Sequence, residues 1–292
     1  TAYEIMPSLV GSEMCIRDSD RTLIKIVMNE PQMLSSLGLI DNTILDFHSD
    51  ELSDVSDAKT LALIAQAEKE LETLRSYDYD GLNRSQKLSY KISEWIITKS
   101  LEGKQFIYHS YPVNQMSGIQ NSLPSFMDAT HQVIDEKSAR RYAVRLSQFD
   151  QVLDQTVAKV KVRQSRDIIP PRFVLQKVIA QMADFIAVSP EENILFTYFT
   201  KKINDLERLH PPDKHKLETE VLDEIEKTVY PAYSRMIDYL SHLETIATED
   251  DGVWKLPNGE AFYRFMLSMS TTTNMTPDEI HELGLLEVDR IQ

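Results

Sequence analysis

Apolar residues recur three or four positions apart along most of the chain, which is the spacing of an amphipathic α-helix. In Asp57–Arg75, for example, Leu61, Ile64, Leu71 and Leu74 share one stripe. The same pattern predicts helices from Ser85 to about Leu101, over Glu136–Arg163, over Arg172–Val188 and from Asp213 to about Ala247. Strand-like alternation and hairpin turns are lacking, apart from a possible short turn at Pro257-Asn258-Gly259. The sequence therefore predicts an all-α fold, an irregular array of many helices.

Pro and capping residues indicate where some of these helices begin or bend. Thr276-Pro277-Asp278-Glu279 is a strong helix start, because the Thr hydroxyl and the Glu carboxylate can satisfy free backbone N–H groups. Ser189-Pro190-Glu191-Glu192 is a second candidate of this kind, and Pro231 predicts a kink or break near Tyr230. After Thr276 the helical spacing continues to the last residue without a stop signal, so we interpret the chain as truncated within this helix.

One stretch interrupts the helical pattern. Residues 106–126 are rich in Pro, Gly, Asn, Gln and Ser, with aromatic residues between them, and this composition predicts a long loop. A loop of this length in a helical domain either has a function or packs on the surface. Asn114 and Gln115 are therefore candidates for lining a substrate cleft, with plain structural packing as the alternative.

The ends and the composition restrict the picture further. Residues 1–19 have neither helical nor linker character and resemble translated sequencing adaptor, so we expect a non-native leader followed by one helical domain over 20–292. Cys15, the only cysteine, lies in that leader. The formal net charge of −15 opposes binding to nucleic acid or anionic lipid, and no run of 18 apolar residues predicts a transmembrane segment.

Known catalytic and metal-binding patterns are absent from the sequence. His281-Glu282 begins like a zinc-binding H-E-x-x-H helix, but Leu285 stands where the second His would be. The seven histidines include no second His-Glu pair, and the remaining alternative is a weak surface site at His210, His215 and Glu218. The 8 glycines form no phosphate loop or nucleophile elbow. We therefore predict no catalytic residue, no metal site and no bound cofactor within this chain.

Several longer segments resemble one bacterial family. LPNGEAFYRF is followed by STTTNMTPDEIHELGLLEVDRI, and IIPPRFVLQKVIAQM precedes both. The loop contributes the spaced residues Pro112, Gln115, Gly118, Leu123 and Pro124. Together, in this order, they resemble the family called domain of unknown function 885, which is similar to zinc metallopeptidases. The family's probable zinc motif, His-Glu-x-x-Pro-Gly-His-His, would lie downstream of Gln292.

This resemblance implies a function for a longer parent protein. The chain would be the N-terminal part of a zinc-dependent peptidase-like hydrolase, forming a wall and lid of the peptide-binding cleft. The parent would hold zinc, and the missing C-terminal half would be this chain's partner, covering apolar surface left exposed here. Many relatives are exported or lipid-anchored, which favours a periplasmic, lipid-anchored or secreted location.

Four residues ahead of the expected zinc motif gain interest from the resemblance. Thr271, Thr272 and Thr273 could form a hydrogen-bonding rim for a peptide backbone, and Tyr263 could donate to an oxyanion. The alternative for the threonines is a turn and a helix cap. At the level of the whole chain, the alternative to a hydrolase is a noncatalytic helical module that binds a peptide or protein. The downstream zinc motif would distinguish the two.

Overall fold

The computed structural model describes residues 30–37 and 50–292, and within these residues every regular element is helical. The α-helices are α1 (Pro31–Ser36), α2 (Asp57–Arg75), α3 (Arg84–Glu102), α4 (Ile119–Ala129), α5 (Glu136–Leu146), α6 (Phe149–Gln164), α7 (Arg172–Ile186), α8 (Ile194–Asn204), α9 (Pro211–Glu224), α10 (Tyr230–Ile246), α11 (Gly259–Thr271) and α12 (Pro277–Ile291). Short 3₁₀ turns lie at Gly103–Phe106 and Val253–Lys255. The prediction of an all-α array is confirmed.

The main hydrophobic core lies between helices α4 to α10. Helix α10 packs along α7 and α6, while α9 packs against α5 and α8. Tyr142, Phe149, Phe199 and Tyr233 are fully buried there. The hydroxyls of both tyrosines donate to backbone carbonyls, as buried phenols require: Tyr142 to Leu195 O and Tyr233 to Gln120 O, each at 2.8 Å.

Helices α2 and α3 form an antiparallel hairpin with a small core of its own. Leu74, Leu82 and Tyr90 are buried in this second cluster. The hairpin is tied to the main core through Arg163 of α6, whose buried guanidinium donates to both carboxylate oxygens of Asp57, at 3.1 and 3.2 Å. The same guanidinium donates to Ile107 O and Ser110 O, so one side chain fixes the start of α2 and the chain after α3.

The predicted loop over 106–126 is wrong in its second half, because α4 begins at Ile119. Pro124 lies inside this helix and has no N–H to donate to Gln120 O, four residues earlier. The buried Tyr233 hydroxyl donates to that carbonyl instead. The proline therefore costs the helix a backbone bond that a side chain from α10 replaces, a compensation that local sequence does not reveal.

The single helix predicted over Glu136–Arg163 is also wrong, because α5 ends at Leu146 and α6 begins at Phe149. Gln148 at the break donates to Asp50 O at 2.6 Å and accepts from Leu52 N at 2.8 Å. Leu146 and Phe149 on either side are both fully buried. The break thus allows the Gln148 side chain to bond the segment that precedes α2, while the apolar residues of α5 and α6 on either side stay buried.

Three helix starts differ from the prediction. Asn83, not Ser85, caps α3 and forms a capping box with Gln86. Asn193 caps α8, so the expected box at Ser189–Glu192 precedes the helix instead of starting it. His210 is the N-cap residue of α9, with two prolines in the first turn, so Asp213 lies within the helix and does not cap it.

Other sequence predictions hold. Helix α2 has the predicted bounds, α7 ends two residues before the predicted Val188, and Thr276 with Glu279 forms the expected capping box of α12. The irregularity expected near Tyr230 is a π-helical turn at Ile225–Val229, which widens the helix just before Pro231. The leader 1–19 with Cys15 lies outside the described residues. None of the described helices combines the length and apolar content that crossing a bilayer requires.

Candidate functional site

A cleft of about 480 Å³ opens between the C-terminal end of α3 and helix α11. The 3₁₀ turn at Gly103–Phe106 closes one end, and residues 274–276 lie at another side. Its lining is mixed: the charged residues are Lys99, Glu102 and Arg264, the polar ones Gln105, Ser268, Asn274 and Thr276, and the apolar ones Phe106, Ala261, Phe265 and Met275. We refer to it as the α3–α11 cleft.

An aromatic cluster holds α11 against the end of α3. Phe106 is buried and lies 5.4 Å from the Phe265 ring and 5.5 Å from the Phe262 ring, between ring centroids. His109 stacks at 5.0 Å on Phe262, and its Nε2–H donates to Pro257 O at 2.7 Å. These contacts join the chain after α3 to α11 and the residues before it, and within the cluster Phe106 and Phe265 line the cleft.

Two glycines permit close approaches at the base of the cleft and at the start of α11. A Cβ on Gly103 would lie 2.7 Å from the Phe265 ring, and a Cβ on Gly259 would lie 2.0 Å from Val253 O. Asn258, just before α11, adopts a left-handed conformation, which Asn tolerates better than most residues. The turn at Pro257-Asn258-Gly259 therefore sets the direction in which α11 leaves the 3₁₀ turn.

The polar groups of the cleft are already engaged in local contacts. Ser268 Oγ donates to Phe265 O at 2.9 Å, and the Thr276 hydroxyl belongs to the α12 capping box. Lys99 pairs with Glu102 at 2.6 Å and Arg264 with Glu260 at 2.8 Å, all on the surface. Neither hydroxyl contacts a histidine, the usual activating base of a serine or threonine nucleophile.

The predicted threonines lie near this cleft but do not line it. Thr271 is the last residue of α11, and its hydroxyl donates to Leu267 O at 2.9 Å and lies 3.0 Å from the Thr273 hydroxyl. Thr272 has a left-handed backbone with φ of 55°, and both Thr272 and Thr273 are exposed. Tyr263 is 46% exposed on the outer side of α11. The threonines thus form the turn that ends α11, in which the hydroxyls of Thr271 and Thr273 contact each other and the Thr271 hydroxyl bonds the helix.

Asn114 and Gln115 belong to a different group of contacts. The Asn114 side chain accepts from the N–H groups of Met116 and Ser117, which makes a local turn. Gln181 of α7 donates to Gln115 O at 3.0 Å and accepts from the amides of Gln120 and Asn121 at 3.2 Å. This amide network anchors the loop on α4 and α7, and none of its contacts reaches the threonines or the α3–α11 cleft.

The described residues do not fit a metal site. Among residues 30–37 and 50–292, no group of three or more His, Cys, Asp or Glu side chains is arranged to hold an ion. His281 is exposed on α12, and His215 lies only near Glu218, at 3.9 Å. A second cavity of about 510 Å³ has acidic walls that include Asp135, Glu136, Asp205 and Glu207. Asp135 there caps α5, and the Ser138 N–H lowers its pKa.

Sequence reasoning did not identify the cleft residues. Phe106 and Phe265 become neighbours only because α11 folds back onto the end of α3, a contact between residues far apart in sequence. The one local signal was the pair Phe262 and Phe265 three positions apart, which places both rings on one side of α11. The charged lining residues Lys99, Glu102 and Arg264 have the sequence pattern of ordinary solvent-exposed helix surface, so the sequence does not distinguish them.

Comparisons with known proteins agree on the family and the fold. The model of the family described as "Bacterial protein of unknown function (DUF885)" matches residues 31–292, so the chain belongs to this family. A crystal structure described as a "putative lipoprotein" from Colwellia psychrerythraea has the same fold, with a TM-score of 0.82 and 23% identity. The match covers 94% of this chain and 50% of that one, so this chain spans half the length of the solved protein. No curated protein matches.

Proposed function

We propose that this member of the bacterial family of unknown function is one part of a zinc-dependent peptidase-like hydrolase. In this proposal the chain forms a wall and lid of the substrate cleft, and the polypeptide that completes the protein holds the zinc. The match to only half of a solved protein of the same fold supports a longer parent protein, while the zinc-dependent activity rests on the resemblance of the sequence segments described above. The lack of a metal-binding group among the described residues is consistent with ligands located elsewhere.

The α3–α11 cleft supports a peptide as the substrate class. Its base is aromatic, at Phe106 and Phe265, and its rim carries both signs of charge, at Lys99, Glu102 and Arg264. Such a surface can pack apolar side chains of a peptide while side-chain amide groups bond the peptide backbone. Gln105 and Asn274 are the lining residues with side-chain amides for that purpose. The Thr271–Thr273 turn and Tyr263 would extend this wall.

The proposed location is the cell envelope. The solved relative is described as a lipoprotein, and a lipid-anchored or periplasmic place for this protein follows by analogy. A second function, a noncatalytic peptide- or protein-binding module, has its own support, because the hydroxyls in the cleft are engaged locally and no activated nucleophile is present among the lining residues.

Hydrolysis by the complete protein tests the proposal. The reading frame would be expressed to its natural end, beside the 292-residue chain, and both assayed on a library of internally quenched peptides. We expect cleavage by the longer protein alone, abolished by a zinc chelator and restored by added zinc. Cleavage that resists chelation, or cleavage by the shorter chain, would contradict the proposal. Peptide binding by both forms without cleavage would support the binding module instead.

A second assay connects the activity to the cleft. Phe265→Ala should raise the KM of the longer protein several-fold with a smaller change in kcat, because the ring contributes binding surface and no reacting group. Lys216→Ala, at an exposed position of α9 outside the cleft lining, is the control and should leave both constants unchanged. Equal effects of the two substitutions would argue against the cleft as the peptide site.

A further inference from the structure

An apolar stripe on α3 is uncovered in the structure. Leu88, Ile92 and Ile96 are four residues apart and therefore share one side of the helix. They are 63%, 51% and 52% exposed. Isolated exposed apolar residues are common on protein surfaces, but three in a row along one helix side make a contiguous patch.

The stripe continues a side of α3 that already packs against another helix. Gly103 follows Ile96 by seven residues, two helical turns, and so lies on the same side. The Phe265 ring of α11 lies against Gly103 so closely that a Cβ there would be 2.7 Å from it. Helix α11 thus covers the C-terminal end of this side, while Leu88, Ile92 and Ile96 remain open.

Helix α12 is uncovered over its whole length after the first turn. Every residue from 281 to 292 is exposed, and an added Cβ on Gly284 would meet nothing within 4 Å. Its large apolar residues include Leu283 at 46% exposure, Leu285 at 50%, Leu286 at 65% and Val288 at 50%. A lone helix of 15 residues is marginal in water, so these side chains gain stability only from a partner.

The apolar residues of α12 do not lie on one side. Residues two positions apart point about 160° away from each other, since each residue turns the helix by about 100°. Leu283 and Leu285 therefore face roughly opposite directions, and so do Leu286 and Val288. Apolar residues therefore occur on opposite sides of α12, among charged residues such as Glu282 and Glu287, so more than one side of the helix can pack against other elements.

We infer that the polypeptide completing this protein packs along the Leu88–Ile92–Ile96 stripe and on both sides of α12, so that α12 is a central helix of the complete fold. The inference rests on the proposed function only in requiring a longer polypeptide, and it does not depend on zinc or peptidase activity. The solved protein of the same fold has as much chain again beyond the shared half, which is enough for such a covering layer.

Two other occupants are less suited to this surface. A second copy related by a two-fold axis would present one helix side to its partner and would leave the opposite side of α12 in water. Residues 1–29 of this chain could cover one stripe, but a segment of that length does not supply packing for α3 and for both sides of α12.

Hydrogen exchange of α12 distinguishes these occupants. In the 292-residue chain we expect the amides of 281–291 to exchange about as fast as in an isolated peptide, whereas in the longer protein they should exchange more than about 100-fold more slowly. Helices α6 and α10 serve as internal references, because their core is complete in both forms. Fast exchange of α12 in the longer protein would overturn the inference.

Concentration, deletion and substitution complete the test. Protection of α12 in the shorter chain that grows with protein concentration would overturn the inference in favour of a second copy. If α12 of the shorter chain is protected and this protection disappears when residues 1–29 are deleted, the inference would be overturned and that segment would be the occupant. In the longer protein, L286E should raise α12 exchange at least about 10-fold, and the matched control E282Q should not. Loss of peptidase activity alone would leave the inference standing.

Discussion

A buried cation joins separate parts of this molecule through a single side chain. Arg145 is fully buried, donating to Ser35 Oγ at 2.7 Å and to Glu51 O at 3.1 Å, and so holds the chain before α2 against α5. It also donates to His131 Nδ1 at 2.7 Å, while His131 Nε2–H donates to Ser138 O at 3.0 Å. Both ring nitrogens are used only while the imidazole is neutral.

This arrangement makes part of the stability dependent on pH. Burial and the neighbouring cations Arg145, Lys202 and Arg141 lower the pKa of His131 from 6.5 to about 3. In the unfolded chain His131 therefore becomes protonated below about pH 6.5, whereas in the folded chain it stays neutral down to about pH 3. As the pH is lowered from about 6.5 to about 3, the free energy of unfolding should therefore decrease, by up to about 1.4 kcal/mol per pH unit from this group.

His131→Asn tests that dependence, because Asn can accept from Arg145 and does not titrate. In urea unfolding from about pH 7 to about pH 4, the advantage of the wild-type protein over the variant should shrink steadily as pH falls. A difference that stays constant across this range would show that His131 is not held neutral by its surroundings.

A second residue-level device compensates for Pro124. Removing the Tyr233 hydroxyl leaves the buried Gln120 carbonyl without a donor, so Tyr233→Phe should lower the free energy of unfolding by about 1–3 kcal/mol. Pro124→Ala restores a backbone N–H that can bond the same carbonyl. Tyr233→Phe should therefore cost clearly less in the Pro124→Ala background. Additive effects in this double-mutant cycle would contradict the assignment.

Two glycines show that α11 is tightly packed at its start whereas α12 has no packing around it. Gly259 lies against Val253 O, whereas Gly284 of α12 has open space around it. Gly259→Ala should destabilise the α11 region by about 1–3 kcal/mol through overpacking. Gly284→Ala should instead strengthen α12 by up to about 1 kcal/mol through helix propensity.

Circular dichroism during thermal unfolding of the 292-residue chain separates the two effects. Gly284→Ala should increase the helical signal at low temperature and leave the main transition in place, because α12 unfolds independently of the core. Gly259→Ala should reduce the signal or the midpoint. A shift of the main transition by Gly284→Ala would mean that α12 is coupled to the rest of the chain.

Helical periodicity predicted the fold class and several helices, but not the places where long-range contacts decide the outcome. The Asp57–Arg75 helix and the Thr276 cap depend on local pattern and agree with the structure. The break at Gln148 depends on hydrogen bonds to residues 50–52, nearly a hundred positions away. The cleft likewise depends on α11 returning to α3, so no local motif identifies its lining.

The molecule as a whole combines a closed core with an open side. Helices α4 to α10 bury their apolar faces, while the stripe of α3 and helix α12 leave theirs in water. The 292-residue chain should therefore bind the dye ANS in its native state, although its core is complete.

The double variant Ile92→Glu and Ile96→Glu should reduce that dye binding without lowering thermal stability, since neither side chain is part of a buried cluster. Gln151→Glu, at an exposed polar position of α6, is the control and should leave dye binding unchanged. A loss of stability as large as that of a core substitution would mean that the stripe is covered in the chain as it stands.

Sequencing the source DNA through the end of this reading frame tests whether the chain is one part of a larger protein. The account predicts that the frame continues beyond Gln292 for a length comparable with that of the chain itself, and that it encodes the His-Glu-x-x-Pro-Gly-His-His motif. A stop codon directly after Gln292 would contradict it, and the α3–α11 cleft would then have to be studied as a binding site in its own right.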